Sequence, residues 1–378
     1  MRLTFKYRLY PSREQAAFLT EQLRAACALY NGALEERIGA WKLSRTSVNY
    51  YTQANQLKAI RAAGDLALAN FSCCQDVLRR LDKTFKAFYG RVKRGEKRAG
   101  FPRWRSARRY DSLTFPSYGD GCRLLDSGGL RLQGAGVIKV KLHRPLDGTV
   151  KTVTVKREAG KWFACFSVVV DAAPLPDLDT ETGIDMGLTS FAVLANGTPI
   201  ENPRHYRTAQ ARLRRAQRKV ARRTKGSHRR RKAVQLLQRA HIHVRNQRAD
   251  FHHKAARTLV NRHGMIGVEN LNIKGLAAGR LAKSVHDASW SQFLGFVLYK
   301  AENAGRCVIE VDARNTSQTC VCGASVPKTL ADRWHLCPVC GLSLPRDQVS
   351  AQIVLLRART AGLRSGIWPR PDRLQVST

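Results

Sequence analysis

Acidic side chains are scarce in this chain. It holds 28 Asp and Glu against 66 Lys and Arg, for a net charge of +38 and an isoelectric point near 10.7. So lopsided a balance points to a polyanionic partner, because each phosphate contact releases condensed counterion. Long apolar runs are missing too. None approaches the roughly 18–20 residues that a membrane-spanning helix needs. The opening MRLTFKYRLYP alternates instead of forming the apolar stretch of a signal peptide. Both absences speak against membrane and secretion, and the expected location is the cytoplasm. Without a secretory route, the ten cysteines are not expected to form a disulfide framework. At 378 residues the chain has room for two or three domains with a sizeable core.

The cysteines fall into two groups. Cys27, Cys73, Cys74, Cys122, Cys165 and Cys307 are scattered through apolar or helical surroundings and read as buried, reduced thiols. The other four crowd into 21 residues, Cys320 and Cys322 in C-V-C-G and Cys337 and Cys340 in C-P-V-C-G. Paired cysteines followed by glycine form the knuckles of a zinc ribbon, so a structural Zn²⁺ is expected. The second pair has the usual two-residue gap, whereas the first has only one. That shortness makes it harder for both sulfurs to reach a tetrahedral ion, and His335 stands by as a substitute ligand.

Residues 2–9 alternate, with Leu3, Phe5, Tyr7 and Leu9 opposite Arg2, Thr4, Lys6 and Arg8, the pattern of a half-buried strand. Ser12 and Gln15 form a capping-box pair, and helical patterning covers 11–92. Then comes the basic stretch 93–109, where Arg103 and Arg105 lie beside Phe101 and Trp104. Cations interleaved with aromatics suit a surface that tracks a nucleic-acid backbone and stacks on bases; a solvated linker is the plainer alternative. Residues 110–172 carry five strand-like runs that, with the N-terminal strand, could close a small barrel.

After a proline-rich break, two strand-like runs precede a turn at Asn196-Gly197. Residues 203–262 then hold 20 Lys/Arg against one acid, Asp250, a net +19. Leu213, Val220, Val234, Leu237 and Val244 at helical spacings predict a helical hairpin bent at Gly226-Ser227. Charge this dense repels itself without a counter-polyanion. Arg214, Arg215, Arg218, Lys219, Arg222, Arg223, Lys225, Arg229, Arg230, Arg231 and Lys232 are therefore candidate nucleic-acid contacts. A buried strand at GMIGVENL, a helix over 288–304, a strand at CVIEVDA and a final helix complete the order of an RNase H-like sheet. The tail after Gly362 reads as loosely held.

Against so basic a background, three acids stand out. Asp185 in GIDMGL and Glu269 in GMIGVENL close apolar strand-like runs, and Asp347 in PRDQVSA opens an apolar helix-like run. Gathered in space, such carboxylates can hold two divalent ions astride a phosphodiester. The plainer reading of each is a cap or surface carboxylate, and it fits Asp347 best, since Asp also caps helices.

The strings YRLYPSREQ, YNGALEER, LRRLDKTFKAFYGRVKRG with GFPRW, GIDMGL, KVARRTKGSHRRRK, VENLNIKGL, SWSQFLGFVLYKAENAG, NTSQTCVCG and CPVCG followed by RD resemble, in order and spacing, the TnpB family. Its members are RNA-guided nucleases of small insertion sequences, related to type V CRISPR effectors. The resemblance implies a multidomain α+β protein: a wedge-like barrel from 1–10 and 110–175, a helical recognition lobe at 11–109, and a RuvC-like, RNase H-like nuclease domain at 176–378. The nuclease domain would carry the basic hairpin (203–262) and a zinc ribbon (314–346) as insertions. The implied partners are a guide RNA from the transposon end and double-stranded DNA with an adjacent motif, in a bacterial or archaeal cytoplasm at the nucleoid. Base pairing would then read sequence while the protein grips backbone.

Carried over by position, the family's catalytic residues fall on Asp185, Glu269 and Asp347. Asp185 would bridge two Mg²⁺ ions, and Glu269 and Asp347 would each anchor one. The family writes D-R-D-x-N-A-A at the third acid, whereas this chain has Pro345-Arg346-Asp347-Gln348-Val349-Ser350-Ala351. That departure leaves two readings open, a guided endonuclease and a cleavage-deficient guided DNA-binding repressor. A transposase or transposase accessory protein, and a guide-free junction resolvase, are weaker readings; no Tyr or Ser recombinase constellation is apparent.

Overall fold

A computed structural model of the chain describes residues 1–329, 331–366 and Trp368. It divides into two compact units, Met1–Asp171 and Ala172–Thr378. No helix among the described residues is long and apolar enough to cross a membrane.

The first unit opens with β1 (Arg2–Tyr10), followed by α1 (Arg13–Ser44), α2 (Tyr50–Ala62) and α3 (Phe71–Lys93). Six strands follow: β2 (Ser112–Phe115), β3 (Cys122–Leu124), β4 (Gly129–Leu132), β5 (Gly136–Lys141), β6 (Thr149–Glu158) and β7 (Lys161–Val169). The Ser12–Gln15 capping box is present in both directions, at 3.2 and 3.0 Å. On α3, Cys73, Cys74, Val77, Leu78, Leu81 and Phe85 are buried at helical spacing.

The strands form one antiparallel sheet in the order β2-β6-β7-β1-β5-β4-β3. Among the described residues its end strands pair only with β6 and β4, so backbone hydrogen bonds do not close it into the barrel expected from sequence. Helices and sheet share one core, in which Tyr7, Leu23, Leu78 and Phe166 all take part. Lobe and sheet, separate in the sequence reading, are thus fused by packing. Cys27, Cys73, Cys74 and Cys122 are buried, and Cys165 and Cys307 are half-buried.

The second unit contains β8 (Glu181–Met186), β9 (Ala192–Leu194), β10 (Pro199–Ile200), α4 (His205–Ala221), α5 (His228–Arg262) and β11 (Met265–Asn270). Then come α6 (Ile273–Leu276), α7 (Ala282–Ala288), α8 (Trp290–Ala304) and β12 (Cys307–Asp312). A 3₁₀ turn at Thr316–Gln318, β13 (Trp334–Leu336), β14 (Ser343–Pro345) and α9 (Arg346–Ser365) complete it. Its sheet runs β10-β9-β8-β11-β12, antiparallel across β10, β9 and β8 and parallel across β8, β11 and β12.

Alternation decides what covers each face. Ile184, Met186, Ile266 and Val268 pack with α5 and α8, whereas Met265, Ile309 and Val311 pack with Val354 and Ala358 of α9. Asn196-Gly197 makes the β9–β10 turn, with Gly197 at φ +84°. The hairpin α4–α5 bends at Gly226-Ser227 as expected and is pinned by Leu213, Ala240 and Val244. Helix α4 lacks a side-chain cap of its own. Asp287, at the end of α7, supplies one by accepting from Tyr206 N (2.8 Å) and Arg207 N (3.2 Å). The expected loose tail is corrected in part: α9 is helical through Ser365 and Trp368 is buried, and the remainder lies outside the described residues.

Candidate active site

Two glycines build the acidic site. Gly183 and Gly267 lie two residues before Asp185 and Glu269, hence on the same sheet face, the face that α9 covers. A Cβ on Gly183 would stand 2.1 Å from the Ala351 carbonyl oxygen, and one on Gly267 would stand 2.8 Å from the Ala358 Cβ. Helix α9 can therefore press directly on the sheet. Asp347 lies one turn before Ala351, which carries it alongside Asp185. Ile184 and Val268 are the last registered pair of the parallel strands β8 and β11. Asp185 and Glu269 follow next on adjacent strands, about 4.8 Å apart in the hydrogen-bonding direction.

The electrostatics match this convergence. Burial first, then the Glu269 and Asp347 charges, push the Asp185 carboxyl up to about 8, against the opposing pull of Arg346. Glu269 is buried and its pKa is also raised by burial, eased by a hydrogen bond from Thr316 Oγ1 to its Oε1 at 2.7 Å and by the Arg357 charge. Arg346 meets Asp347 Oδ1 at 3.2 Å and donates to the carbonyls of Thr329 and Asp332. Asp347 is the second residue of α9 rather than its cap, where the helix dipole favours an anion. Sequence reasoning missed Arg346, Thr316 and Arg357, whose roles arise only from tertiary contact.

A cleft of about 530 Å³ opens here, lined by Asp185, Asp347, Trp290, Gln318, Lys328, Arg333, Arg346 and others. Among the described residues, the only three or more His, Cys, Asp or Glu ligand atoms within 4.8 Å of one another are those of the cysteine quartet. The three carboxylates are therefore neighbours without forming a tight cage. Val349, at the position where the family carries Asn, is buried and offers no polar atom.

Cys320, Cys322, Cys337 and Cys340 do converge. Sulfurs pair across the two knuckles, Cys320 with Cys340 at 3.6 Å and Cys322 with Cys337 at 3.7 Å. Metal–sulfur bonds of about 2.3 Å in a tetrahedron put sulfurs about 3.8 Å apart, so the quartet fits such an ion despite the short first pair. Backbone N–H groups, Cys340's foremost, lower the Cys337 pKa to about 6, which readies a thiolate. His335 is not among the converging ligands; its Nδ1 lies 2.7 Å from Lys328 Nζ.

On the hairpin, Arg215, Arg218, Lys219, Arg222 and Arg223 line a second cavity of about 470 Å³. Arg214, Lys225, Arg229, Arg231 and Lys232 are exposed. Arg230 differs: its Nη1 donates to the carbonyls of Val220 and Arg223 at 2.8 and 2.9 Å, stapling the end of α4. In the first unit, Arg103 and Trp104 are exposed. Arg105 stacks over Tyr30, with its backbone held by Asn31. Phe101 packs edge-on against Phe85 and Phe88.

A mixed α/β unit with converging acids and an inserted cysteine quartet defines a class that comparison with known proteins narrows. Residues 149–279 match the family of IS605 OrfB described as "Probable transposase", and 290–354 match the Cas12f1-like TNB domain. Residues 1–46 match a family described as a helix-turn-helix domain, although here they form β1 and one unbroken helix.

A candidate RNA-guided DNA endonuclease from Streptomyces pristinaespiralis is 34% identical over 380 residues, covering 98% of this chain and 92% of the relative. InsQ of Escherichia coli K12, described in the same terms, is 26% identical over 374 residues, covering 93% and 91%. The cryo-EM structure of a Cas12f1–sgRNA–target DNA complex shares the fold with a TM-score of 0.59 at 14% identity, over 94% of this chain and 98% of that one. The chain belongs to the TnpB family.

Proposed function

We propose that this protein is an RNA-guided DNA endonuclease of a transposable element. One observation carries the reading: in a chain of net charge +38, Asp185 on β8 feels the charges of both Glu269, on the adjacent parallel strand, and Asp347, at the start of α9. The strand order, with three antiparallel strands leading into two parallel ones, supports a RuvC-like, RNase H-like nuclease unit. Guide RNA and target DNA come from the relatives' names and from the complex whose fold is shared. The exposed cations of α4–α5 are the surface to hold them. Such a protein works in the cytoplasm, at the nucleoid.

Carboxylate oxygens suit Mg²⁺. The three carboxylates would share two such ions, as phosphodiester hydrolysis at a two-metal site requires. Asp185, on the central strand, would serve both ions, with Glu269 and Asp347 serving one each. Bound there, magnesium supplies Lewis-acid stabilisation of phosphoryl oxygens. Thr316 holds Glu269 in place and Arg346 holds Asp347, so the residues around the acids fix their orientation. The quartet would hold a structural Zn²⁺.

A second reading, a guided DNA-binding repressor, draws on Val349 and Pro345 at the altered third-acid motif. Cleavage of matched DNA by the guide-loaded protein in Mg²⁺ decides between them. Wild type should cut and Asp185→Ala should bind without cutting. Equal binding with no cutting by either would leave the repressor.

A further inference from the structure

Lys328 lines the acidic cleft, yet its side chain is anchored in the cysteine module. Its Nζ donates to His335 Nδ1 at 2.7 Å and to the Val326 carbonyl at 3.1 Å. Gln318 clamps its backbone from both sides, accepting from Lys328 N at 2.6 Å and donating to Lys328 O at 2.8 Å. An ammonium has only donors, so Nδ1 must accept and the imidazole proton sits on Nε2. That Nε2 is buried with no partner among the described residues, in a side chain with no exposed surface. An orphaned buried donor is costly, and an apolar residue would fill the space without that penalty. What the imidazole supplies here is its grip on Lys328.

Two of the three ammonium protons are thereby committed, which leaves one for a ligand in the cleft. Lysine ordinarily surrenders much rotamer freedom on binding; here that freedom is already restricted. Besides Arg346, the cations lining the cleft are Lys328 and the exposed Arg333, and Lys328 is the one whose ammonium is already held by His335 and the Val326 carbonyl. Arg346 is occupied with Asp347 and two carbonyls.

Resting on the nuclease reading above, we propose that Lys328 is a catalytic residue that hydrogen-bonds a non-bridging oxygen of the scissile phosphate, with His335 as its positioning residue. In the hydrolysis, water oxygen bonds to phosphorus, the ester P–O bond breaks, and the departing alcohol leaves with one water proton. Lys328 gives up no proton; it stabilises charge on the phosphoryl oxygen.

The test is single-turnover cleavage by the guide-loaded protein. Lys328→Ala should slow cutting on the order of 10²-fold, typical for loss of one transition-state donor. Metal content should hold, target affinity and melting temperature should fall far less than the rate, and Lys328→Arg should recover part of the rate. His335→Gln, which keeps an acceptor, should be milder than His335→Phe. In an Asp185→Ala background, a neutral methylphosphonate at the mapped cut should weaken binding in the presence of Lys328 and not with Lys328→Ala. Wild-type cutting matched by Lys328→Ala overturns the assignment and leaves the nuclease reading standing. Wild type that never cuts removes both. A rate loss accompanied by metal loss and not relieved by arginine also overturns it.

Discussion

Gly183 lies so close to α9 that a methyl group on it would meet the Ala351 carbonyl oxygen at 2.1 Å. This backbone-on-backbone contact positions Asp347 relative to Asp185. Gly183→Ala should therefore act at a distance, pushing α9 off the sheet. Overpacking of this kind costs about 1–3 kcal/mol. We expect a lower melting temperature and loss of cleavage out of proportion to it, with guide RNA binding through the hairpin retained. Gly295→Ala, in α8 with no atom within 4 Å of the added methyl, is the control and should be neutral or slightly stabilising. Equal effects of the two substitutions would refute the role given to the Gly183 contact.

The second prediction concerns pH. Asp185 is raised from 3.8 to about 8 in the folded protein, so between those values the folded state binds more protons than the unfolded one. Stability contributed by this group is complete below about pH 4 and is lost as pH rises towards 8. Without divalent metal, melting temperature should thus fall from pH 5 to pH 8 more steeply for wild type than for Asp185→Asn. Magnesium at pH 8 should recover the difference, since it binds the ionised form. Parallel pH profiles for the two proteins would show that Asp185 is not the group responsible.

Much of this could be read from the chain because it depends on short-range periodicity. Alternation in 2–9, the Ser12–Gln15 pair and the Gly226-Ser227 bend are local signals, and each matches an element of the structure. The acids were visible because a carboxylate at the end of an apolar strand is chemically out of place. Strand β3, three residues long, is too short to show a period. Asp287 capping α4 from some 80 residues away leaves no trace in sequence. Gly362 looks like a helix stop, yet it lies within α9, where Ile309 and Trp368 approach too closely for a side chain. Arg230 is indistinguishable by composition from its neighbours, and only the fold shows it bound to α4 carbonyls.

That distinction separates the arginines of the hairpin. Arg229 and Arg231 are exposed, so Arg229→Ala with Arg231→Ala should weaken nucleic-acid binding and flatten its salt dependence. Two lost phosphate contacts lower the log–log slope by about 1.4 for single strands or about 1.8 for duplex. Arg230→Ala should leave the slope nearly unchanged and instead loosen the α4–α5 turn, seen as faster amide exchange at Val220–Arg223. A full slope change from Arg230→Ala would reverse this assignment.

The cysteine quartet should couple folding to the acidic cleft. Arg346 holds Asp347 Oδ1 while bonding the carbonyls of Thr329 and Asp332, which belong to the segment between the two knuckles. Removing the metal, by chelation or by Cys337→Ser with Cys340→Ser, should release that segment and take Arg346's anchor with it. We expect about one zinc per intact chain, lost in the double variant, together with a fall in cleavage larger than the fall in target binding. The hairpin, pinned by Leu213, Ala240 and Val244, is built independently of this module and should keep its hold on RNA. If chelation removed zinc with cleavage unaltered, Arg346 would be holding Asp347 without help from the knuckles. The module would then be a separate structural appendage.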